Sequence, residues 1–160
     1  MDYIIEIAEE FDAKKIADIK NYYIENTNII FTSEKTSEEK IKNDIIFGSD
    51  FYLVAKLENK IIGFVGLLNY RSGGYYITKE VSLYIDKDFH KQGIGKSLLK
   101  EILIYTKNKN YKNLVAYINS DNINSLNLFK KYGFIESGKL NSIAIKFDTY
   151  LDVTILQYKL

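Results

Sequence analysis

The pattern of apolar and polar residues predicts a strand and then a helix at the start of the chain. The run "YIIEI", residues 3–7, is short and rich in β-branched side chains, which is typical of a strand. Asp12 is a residue type that caps helices. The apolar residues that follow it recur at helical spacing: Ile16, Ile19, Tyr23 and Ile24.

The middle of the chain predicts a second helix, three strands and a third helix. Residues 36–39, "TSEE", read as a capping box ahead of Ile41 and Ile45. The runs "FYLVAKL" and "IIGFVGLL" are separated by "ENK" and predict a hairpin, and "YITKEVSLYI", residues 76–85, predicts another strand. The next helix should run from the glycines that follow to about Asn108.

The last third predicts a strand, a helix and two more strands. The strands are "LVAYI", residues 114–118, and later "FIESGKL" and "VTILQYK", with a helix from about Asn122 to Gly133 between them. This element order predicts an α/β or α+β fold with helices packed on a central sheet, without the regular alternation of a doubly wound fold. A chain of 160 residues is of single-domain size, so we take residues 1–160 as one domain.

Composition excludes several classes of function. The chain has no Cys and one His, which excludes a cysteine nucleophile and makes a metal site or a Ser-His-Asp triad hard to build, so we expect no metal. A net charge of +1 gives no overall attraction to nucleic acid or to an anionic membrane. The start lacks the positive charge of a signal peptide, and no apolar run approaches ~18 residues, so we expect a cytoplasmic protein without a membrane partner.

The glycine-containing segment "HKQGIGKSLL", residues 90–99, is the strongest candidate for chemistry. A nucleotide P-loop requires glycine where the chain has His90, and a dinucleotide fingerprint requires glycine where it has Leu98. Gly93 and Gly95 still allow backbone amides at a helix start to converge on an anion such as a pyrophosphate. The alternative is a strand-to-helix turn that binds nothing.

The flanking sequence resembles the GNAT N-acetyltransferase superfamily. In "EVSLYIDKDFHKQGIGKSLLKEIL" the acetyl-CoA loop of that family, [RQ]-x-x-G-x-[GA], is matched at Gly93 and Gly95, with His90 in the Arg/Gln place. In "AYINSDNINSLNLFKKYGFIESG" a second family signature is matched at four positions: Asn122, Ser125, Gly133 and Phe134.

Nearly the whole chain is similar to the phosphinothricin acetyltransferase subfamily, through "YYIENTNIIFTSEKTSEE", Glu80 and "IKFDTYLDVTILQYKL". The resemblance implies a mixed sheet of about seven strands, splayed in a V and flanked by about four helices. It implies direct acetyl transfer from acetyl-CoA to the primary amine of a small amino-acid-like acceptor, of the phosphinothricin or methionine sulfone/sulfoximine type. It also implies a homodimer.

The resemblance assigns the acetyl-CoA site to one strand, the glycine loop and the following helices. Pantetheine should pair with the strand backbone and the pyrophosphate with the loop amides. The alternative interpretation of Lys96 is a solvated surface lysine, and that of Asn122 is a helix cap. The residues so assigned are Leu83, Tyr84, Ile85, His90, Lys91, Gln92, Gly93, Ile94, Gly95, Lys96, Ser97, Asn122 and Lys131. For His90 we expect contact with phosphate or with the loop, and no catalytic role.

Glu80 is the candidate general base. An amine must be neutral to attack, and a carboxylate can take its proton if burial raises the carboxyl pKa or if a water relays the proton. The alternative is a surface acid paired with Lys79 or another cation. Phe129 stands where the family often carries Tyr or His as the acid, and Phe cannot donate a proton. Tyr132, one helical turn away, is the candidate replacement, with Tyr84 or a water as alternatives.

The resemblance places the acceptor pocket at Phe31, Arg71, Tyr75 and Glu80. An arginine is the natural bidentate partner of an acceptor carboxylate. The segment "YRSGGYY" lacks a second arginine that the subfamily has nearby, which leaves the acceptor open. Two other functions remain open: acetylation of a protein or peptide N-terminus, and a non-catalytic acyl-CoA sensor, for which His90 and Phe129 are the motivation.

Overall fold

The computed structural model describes residues 2–160, in which one seven-stranded sheet is flanked by four α-helices. The strands are β1 (Ile4–Ile7), β2 (Phe51–Leu57), β3 (Lys60–Asn69), β4 (Thr78–Ile85), β5 (Asn113–Asn119), β6 (Ile135–Lys146) and β7 (Thr149–Lys159). The helices are α1 (Ala13–Asn26), α2 (Glu38–Ile46), α3 (Ile94–Lys107) and α4 (Ile123–Lys131). Their order along the chain confirms the sequence prediction.

The cap of α2 differs from the prediction by one residue. The side chain of Ser37, and not of Thr36, accepts a hydrogen bond at the helix start, from the backbone N–H of Lys40 at 3.1 Å. Thr36 is held instead by Asn21 of α1, which binds both its N–H and its carbonyl, at 2.8 and 2.9 Å. This tertiary contact shifts the start of the helix by one residue.

The sheet has the strand order β1-β2-β3-β4-β5-β7-β6. Neighbours are antiparallel except β4 and β5, which are parallel and pair only at Thr78–Asn113, Lys79–Leu114 and Glu80–Val115. Beyond Glu80 the two strands diverge, whereas β4 stays paired with β3 as far as Ile85. The mixed, V-splayed sheet expected from the resemblance is confirmed, and the divergence opens a gap in its middle.

Two apolar layers cover the two faces of the sheet. On one face α3 and α4 bury Leu98, Leu99 and Phe129 against the sheet, together with Val81 of β4. On the other face α1 packs Ile16, Ile19 and Tyr23 against the sheet, in a cluster that also contains Ile41 of α2 and Phe64 of β3. Each such aliphatic side chain contributes roughly 1.5–3 kcal/mol on burial.

The strand β4 contributes side chains to both layers because successive residues of a strand point to opposite faces. Leu83 and Ile85 pack with the α3 and α4 layer, whereas Tyr84 packs on the α1 side between Tyr23 and Phe64. Glu80, four residues before Tyr84 in the strand, points to the same face. The α1 face of the diverging strands therefore carries the polar side chains.

Candidate active site

A cleft lies where β4 and β5 diverge. It is open to solvent, has an empty volume of about 450 Å³, and is lined mainly by residues of β4, β5 and α4. The polar lining residues are Glu80, Ser82, Tyr84, Tyr117, Asn119, Asn122 and Ser125. The cleft brings together the candidate base and the strand that was expected to bind pantetheine.

Glu80 is half-buried in this cleft and forms no ion pair within 4 Å among residues 2–160. Its predicted alternative partner, Lys79, donates instead to the side chain of Asn69. Burial raises the pKa of the Glu80 carboxyl, the charge of Lys20 lowers it, and the charge of Asp50 raises it. The geometry therefore favours a proton acceptor over a surface ion pair.

Lys20 of α1 is a neighbour of Glu80 that the sequence analysis missed. It lies one turn from Ile16 and one turn from Ile24, both buried, so it interrupts the apolar face of the helix. Burial lowers the pKa of Lys20, and the charges of Asp50, Asp44 and Glu80 raise it. A lysine within an apolar helical stripe is the sequence signal that would have found it.

The glycine loop precedes α3, which begins at Ile94. Gly93 is the residue before the helix and has φ +82°, a left-handed conformation that favours glycine. A Cβ on Gly95 would lie 3.5 Å from Cδ2 of Leu83, so the first turn of α3 packs beside the diverging half of β4. The first N–H groups of a helix lack intrahelical partners. The unpaired backbone of β4 therefore lies next to the free N–H groups at the start of α3. This arrangement suits an extended ligand that ends in a pyrophosphate.

The side chains of the loop do not line the cleft. Ile94 is buried in the core, and the hydroxyl of Ser97 accepts a hydrogen bond from Tyr3 at 2.8 Å. Three residues expected to help bind the cofactor are exposed: Lys91, Gln92 and Lys96.

His90 is bound to α1. The hydroxyl of Tyr23 donates to the carbonyl of Ile85 at 2.6 Å, and Nε2 of His90 lies 2.6 Å from the same hydroxyl oxygen. Because the hydroxyl hydrogen is used on Ile85, Nε2 is the donor to Tyr23. The two rings are stacked with centroids 6.2 Å apart. The contacts of His90 in the structure are with α1 and with the end of β4, and its expected contact with phosphate or with the loop stays a prediction.

At the start of α4, Asn122 both caps the helix and lines the cleft. Its Oδ1 accepts from the backbone N–H of Ser125 at 3.2 Å. Both interpretations of this residue are therefore compatible with its position. Lys131, at the other end of the helix, is exposed.

The candidate acids occupy different places. Phe129 lines the cleft, is 2% exposed and packs edge-on against Phe134. Tyr132 follows the end of α4 and packs against the core, and it is not among the cleft-lining residues. Tyr84 lines the cleft, and burial raises its pKa. Of the two candidate tyrosines, only Tyr84 is among the residues that line the cleft.

A cluster of tyrosines adjoins the cleft at Tyr117. The hydroxyl of Tyr117, which lines the cleft, is 2.7 Å from that of Tyr70, and the two rings are stacked at 6.3 Å. Tyr75 packs edge-on against Tyr70, and the guanidinium of Arg71 lies over both of these rings, at 5.3 and 5.8 Å from their centroids. The predicted residues Arg71 and Tyr75 thus connect to the cleft through two tyrosines that were missed.

The segment after α1 forms another wall of the cleft, through Ile29. Asn119 donates to the carbonyl of Asn28 at 2.8 Å, and the buried ammonium of Lys146 donates to the carbonyls of Ile24 and Ile30. Phe31, a predicted acceptor contact, follows in this segment, is partly buried, and does not line the cleft. Asn119 and Lys146 were missed because they act across 91 and 122 residues of sequence.

Comparison with known proteins identifies the class. The family model described as "Acetyltransferase (GNAT) family" matches residues 16–134. The chain belongs to this family and is an acetyl-CoA-dependent N-acetyltransferase.

Individual relatives agree in sequence and in fold. The chain is 33% identical to phosphinothricin N-acetyltransferase of Alcaligenes faecalis over 66% of its length and 55% of that protein's. It is 26% identical to the L-amino acid N-acyltransferase MnaT of Escherichia coli over 98% of its length and 93% of that protein's. It shares its fold with an acetyltransferase structure from Salmonella typhimurium that contains acetyl-CoA, with TM-score 0.93, 24% identity, and coverage of 100% of this chain and 95% of that one.

None of the described helices has the length and apolar character needed to cross a membrane. No three His, Asp or Glu side chains of the described residues are grouped so that they would hold a metal ion.

Proposed function

We propose that the enzyme transfers the acetyl group of acetyl-CoA to the primary amine of a small amino-acid-like acceptor, by direct attack, with Glu80 as the general base. The observation that carries this proposal is the position of Glu80: half-buried, without an ion-pair partner among residues 2–160, at the point where β4 and β5 part.

Proton transfer from the acceptor requires a base matched to an amine. An α-amino group has a pKa of ~7.7 to 8 and an ordinary Glu one of ~4.3, so a carboxyl whose pKa is raised by burial is the better acceptor. Burial raises the pKa of Glu80 in this sense. In our proposal Glu80 takes the proton, directly or through a water, as the amine attacks.

We propose that acetyl-CoA binds in the gap of the sheet. The backbone of Leu83, Tyr84 and Ile85 is free of β5 pairing and can hydrogen-bond the amides of pantetheine. The N–H groups from about Gln92 to Ser97 lie at the start of α3 and suit the pyrophosphate. His90 contributes by holding this loop, and Asn122 lies on the cleft wall nearby.

For the departing thiolate we propose that no strong acid is needed. With ~8.5 as a guide to the pKa of a thiol, the CoA thiolate is tolerably stable near neutral pH. Tyr84, which lines the cleft, is the favoured donor, with Tyr132 and a water as the alternatives to be tested. The packing of Tyr132 against the core makes it the weaker candidate.

We propose that Arg71 binds the carboxylate of the acceptor. It is exposed, and among residues 2–160 no carboxylate lies within salt-bridge distance of it, so its guanidinium fork is free for a bidentate contact. Phosphinothricin and L-amino acids, which the names of two relatives specify, carry such a carboxylate beside the amine. Tyr75 and Phe31 complete the proposed acceptor side.

We also propose a homodimer and a cytoplasmic location. The β6–β7 hairpin exposes a group of apolar side chains: Leu140, Ile143, Ile145, Phe147 and Tyr150. Since β6 is an edge strand, a second copy would cover both these side chains and the free edge. Cells make and keep acetyl-CoA internally, which supports the cytoplasmic location.

A thiol-release assay tests the proposed function. The enzyme is incubated with acetyl-CoA and, separately, with methionine sulfone, methionine sulfoximine, phosphinothricin, a polyamine and a short peptide. We expect free CoA to appear with at least one of the first three. Turnover only with the peptide would favour the N-terminal acetyltransferase, and CoA binding by calorimetry without turnover of any amine would favour the sensor.

A further inference from the structure

We propose that Lys146 of β6 is a positioning residue for the acceptor. Together with Asn119 of β5, it fixes residues 27–31, the wall segment, beside the cleft and thereby sets the affinity for the amine. Lys146 itself does not line the cleft, so it acts through the segment that it holds. This inference rests on the proposed function, and it adds to that function the two residues that keep one wall of the cleft in place.

The chain is attached on both sides of the gap in the sheet. In the last turn of α1, the hydroxyl of Tyr23 donates to the carbonyl of Ile85, at the end of β4, at 2.6 Å. Five residues later, the carbonyl of Asn28 accepts from Nδ2 of Asn119 in β5 at 2.8 Å. These are the two strands that diverge beyond Glu80. The end of α1 and the wall segment are therefore bound to each strand that borders the gap.

The wall segment lies on the face of the sheet that carries the candidate base. Glu80 pairs with Val115 of β5. Asn119, four residues beyond Val115, points to the same face because successive side chains of a strand alternate. Ile29 of the wall segment packs with the apolar cluster of α1 and lines the same cleft as Glu80. An amine that reaches Glu80 thus enters a cleft that Ile29 borders, and a displaced segment changes the shape of that cleft.

The ammonium of Lys146 binds the chain on both sides of Ile29. Its Nζ donates to the carbonyl of Ile24 at 2.5 Å and to the carbonyl of Ile30 at 2.8 Å. Ile24 lies in the last turn of α1, where carbonyls lack intrahelical partners and a positive charge is favourable. Ile30 belongs to the wall segment. One group thus ties the end of the helix to the segment that follows it.

Lys146 is an unusual residue at a site so well covered. It is 4% exposed, and no carboxylate of residues 2–160 lies within 4 Å of its Nζ. A buried charge costs stability unless it is paired, so packing alone favours an apolar side chain here. The two carbonyls explain the lysine, because a single ammonium has three N–H donors and can bind both.

The test measures kcat and KM of Lys146→Met, which keeps the length of the side chain and removes its donors. The amine is methionine sulfone or phosphinothricin, whichever the wild type turns over faster. We expect the KM for the amine to rise about tenfold, the KM for acetyl-CoA to stay within about twofold, and kcat to fall less than about threefold. The proposed cofactor contacts, on β4 and at the start of α3, are not bound by Lys146. Lys139→Met, on an exposed lysine of the same strand that pairs with Asp152, is the matched control.

Amide hydrogen exchange distinguishes a local release of the wall segment from a general loss of stability. In Lys146→Met the amides of residues 24–31 should exchange about tenfold faster, and those of β2 and β3 should keep their wild-type rates. Should Lys146→Met fail to fold by circular dichroism, Asn119→Ala, which removes the donor to Asn28, is compared in its place. The same rise in the KM for the amine and the same local exchange are expected.

The outcomes separate this inference from the function on which it rests. A wild type that turns over the amine, together with a Lys146→Met variant of unchanged KM for that amine, contradicts the inference and leaves the proposed function standing. Equal increases in the KM for the amine and for acetyl-CoA also contradict it, as does unchanged exchange of residues 24–31. A wild type inactive with every amine contradicts both.

Discussion

Nε2 of His90 lies 2.6 Å from the hydroxyl oxygen of Tyr23, and that hydroxyl donates to the carbonyl of Ile85, also at 2.6 Å. One buried hydroxyl on α1 thus binds both the last residue of β4 and the residue three positions before Gly93. The turn between the strand and the glycine loop is held at its two ends. The salt bridge of Lys15 with Asp86, 2.6 Å long, ties the first residue of the turn to the same helix.

We expect Tyr23→Phe to weaken acetyl-CoA binding about tenfold. The substitution keeps the ring and removes both hydrogen bonds of the hydroxyl, so that the Ile85 carbonyl keeps only its longer contact with Nε2 of His90, at 3.3 Å. With roughly 0.5–1.5 kcal/mol for each bond, the free energy of unfolding should fall by about 1–3 kcal/mol. Calorimetry with acetyl-CoA and urea denaturation measure the two effects. Tyr22→Phe, on the adjacent half-buried tyrosine, is the control. Equal affinities of Tyr23→Phe and wild type would show that the loop does not depend on this anchor.

Replacing the candidate base should lower activity without affecting cofactor binding. We expect Glu80→Gln, which has the same shape and no basicity, to reduce kcat/KM near neutral pH by about 10² to 10⁴. Acetyl-CoA affinity should barely change, because Gln keeps the backbone of β4 in place. Steady-state kinetics between pH 6 and 9 provide the check. A variant as active as the wild type over this range would remove Glu80 from the mechanism.

The pH profile should respond to Lys20. A base acts only above its own pKa, so the raised pKa of Glu80 places the acid limb of kcat/KM above the pH at which an ordinary Glu titrates. Because the charge of Lys20 lowers that pKa, Lys20→Met should raise it and move the acid limb to higher pH. Lys14→Met removes the same charge from an exposed position of α1, paired with Asp18, and should leave the limb unmoved. An acid limb at the same or lower pH in Lys20→Met would contradict the proposed coupling.

The two loop glycines should respond differently to alanine. Gly93 has φ +82°, so Gly93→Ala should cost about 1–2 kcal/mol of stability and weaken acetyl-CoA binding by displacing the loop amides. At Gly95 a Cβ would meet Leu83, Leu128 and Ile85 at ordinary contact distances, so Gly95→Ala should keep both properties. Gly74→Ala, in open space and without positive φ, is the control. Thermal denaturation measures the stability of each variant, and calorimetry measures its affinity for acetyl-CoA. A Gly93→Ala variant with unchanged affinity would argue against a backbone anion site.

The missing acid at Phe129 should matter little. We expect a wild type that turns over, and a Phe129→Tyr variant whose kcat rises at most about tenfold, if collapse of the tetrahedral intermediate limits the rate. Tyr84→Phe should lower kcat more than Tyr132→Phe, because only Tyr84 lines the cleft. Pre-steady-state thiol release distinguishes these effects. If only Phe129→Tyr shows turnover, the natural chain is an acyl-CoA binder and not an enzyme.

The pattern of apolar residues predicted the helices and strands well. Each of them buries one face, so buried residues recur at the spacing of a helix or of a strand. The pattern placed Glu80 in a strand and Gly93 before a helix for the same reason. It was wrong at Thr36, where a contact with Asn21 decides where the helix begins.

Most of what was missed in the site depends on tertiary contacts. The contact of Tyr117 with Tyr70 spans 47 residues and joins β5 to the segment that follows β3. The position of Lys20 next to Glu80 depends on how α1 packs on the sheet. Tyr132 was placed by counting along an ideal helix, but α4 ends at Lys131, and the tyrosine that follows packs against the core.

The second half of β4 is an edge strand in the middle of a sheet. An exposed edge ordinarily recruits strands from other proteins, and natural folds guard against this with charges, prolines or short strands. Here the free edge lies inside the cleft, where residues of β5 and α4 line the opposite side, and not at the outer margin of the sheet. A narrow, nearly side-chain-free chain bearing amides at intervals can still add to the edge. In our proposal the pantetheine of acetyl-CoA pairs with this edge, and it thereby covers strand backbone that would otherwise be free to attract another strand.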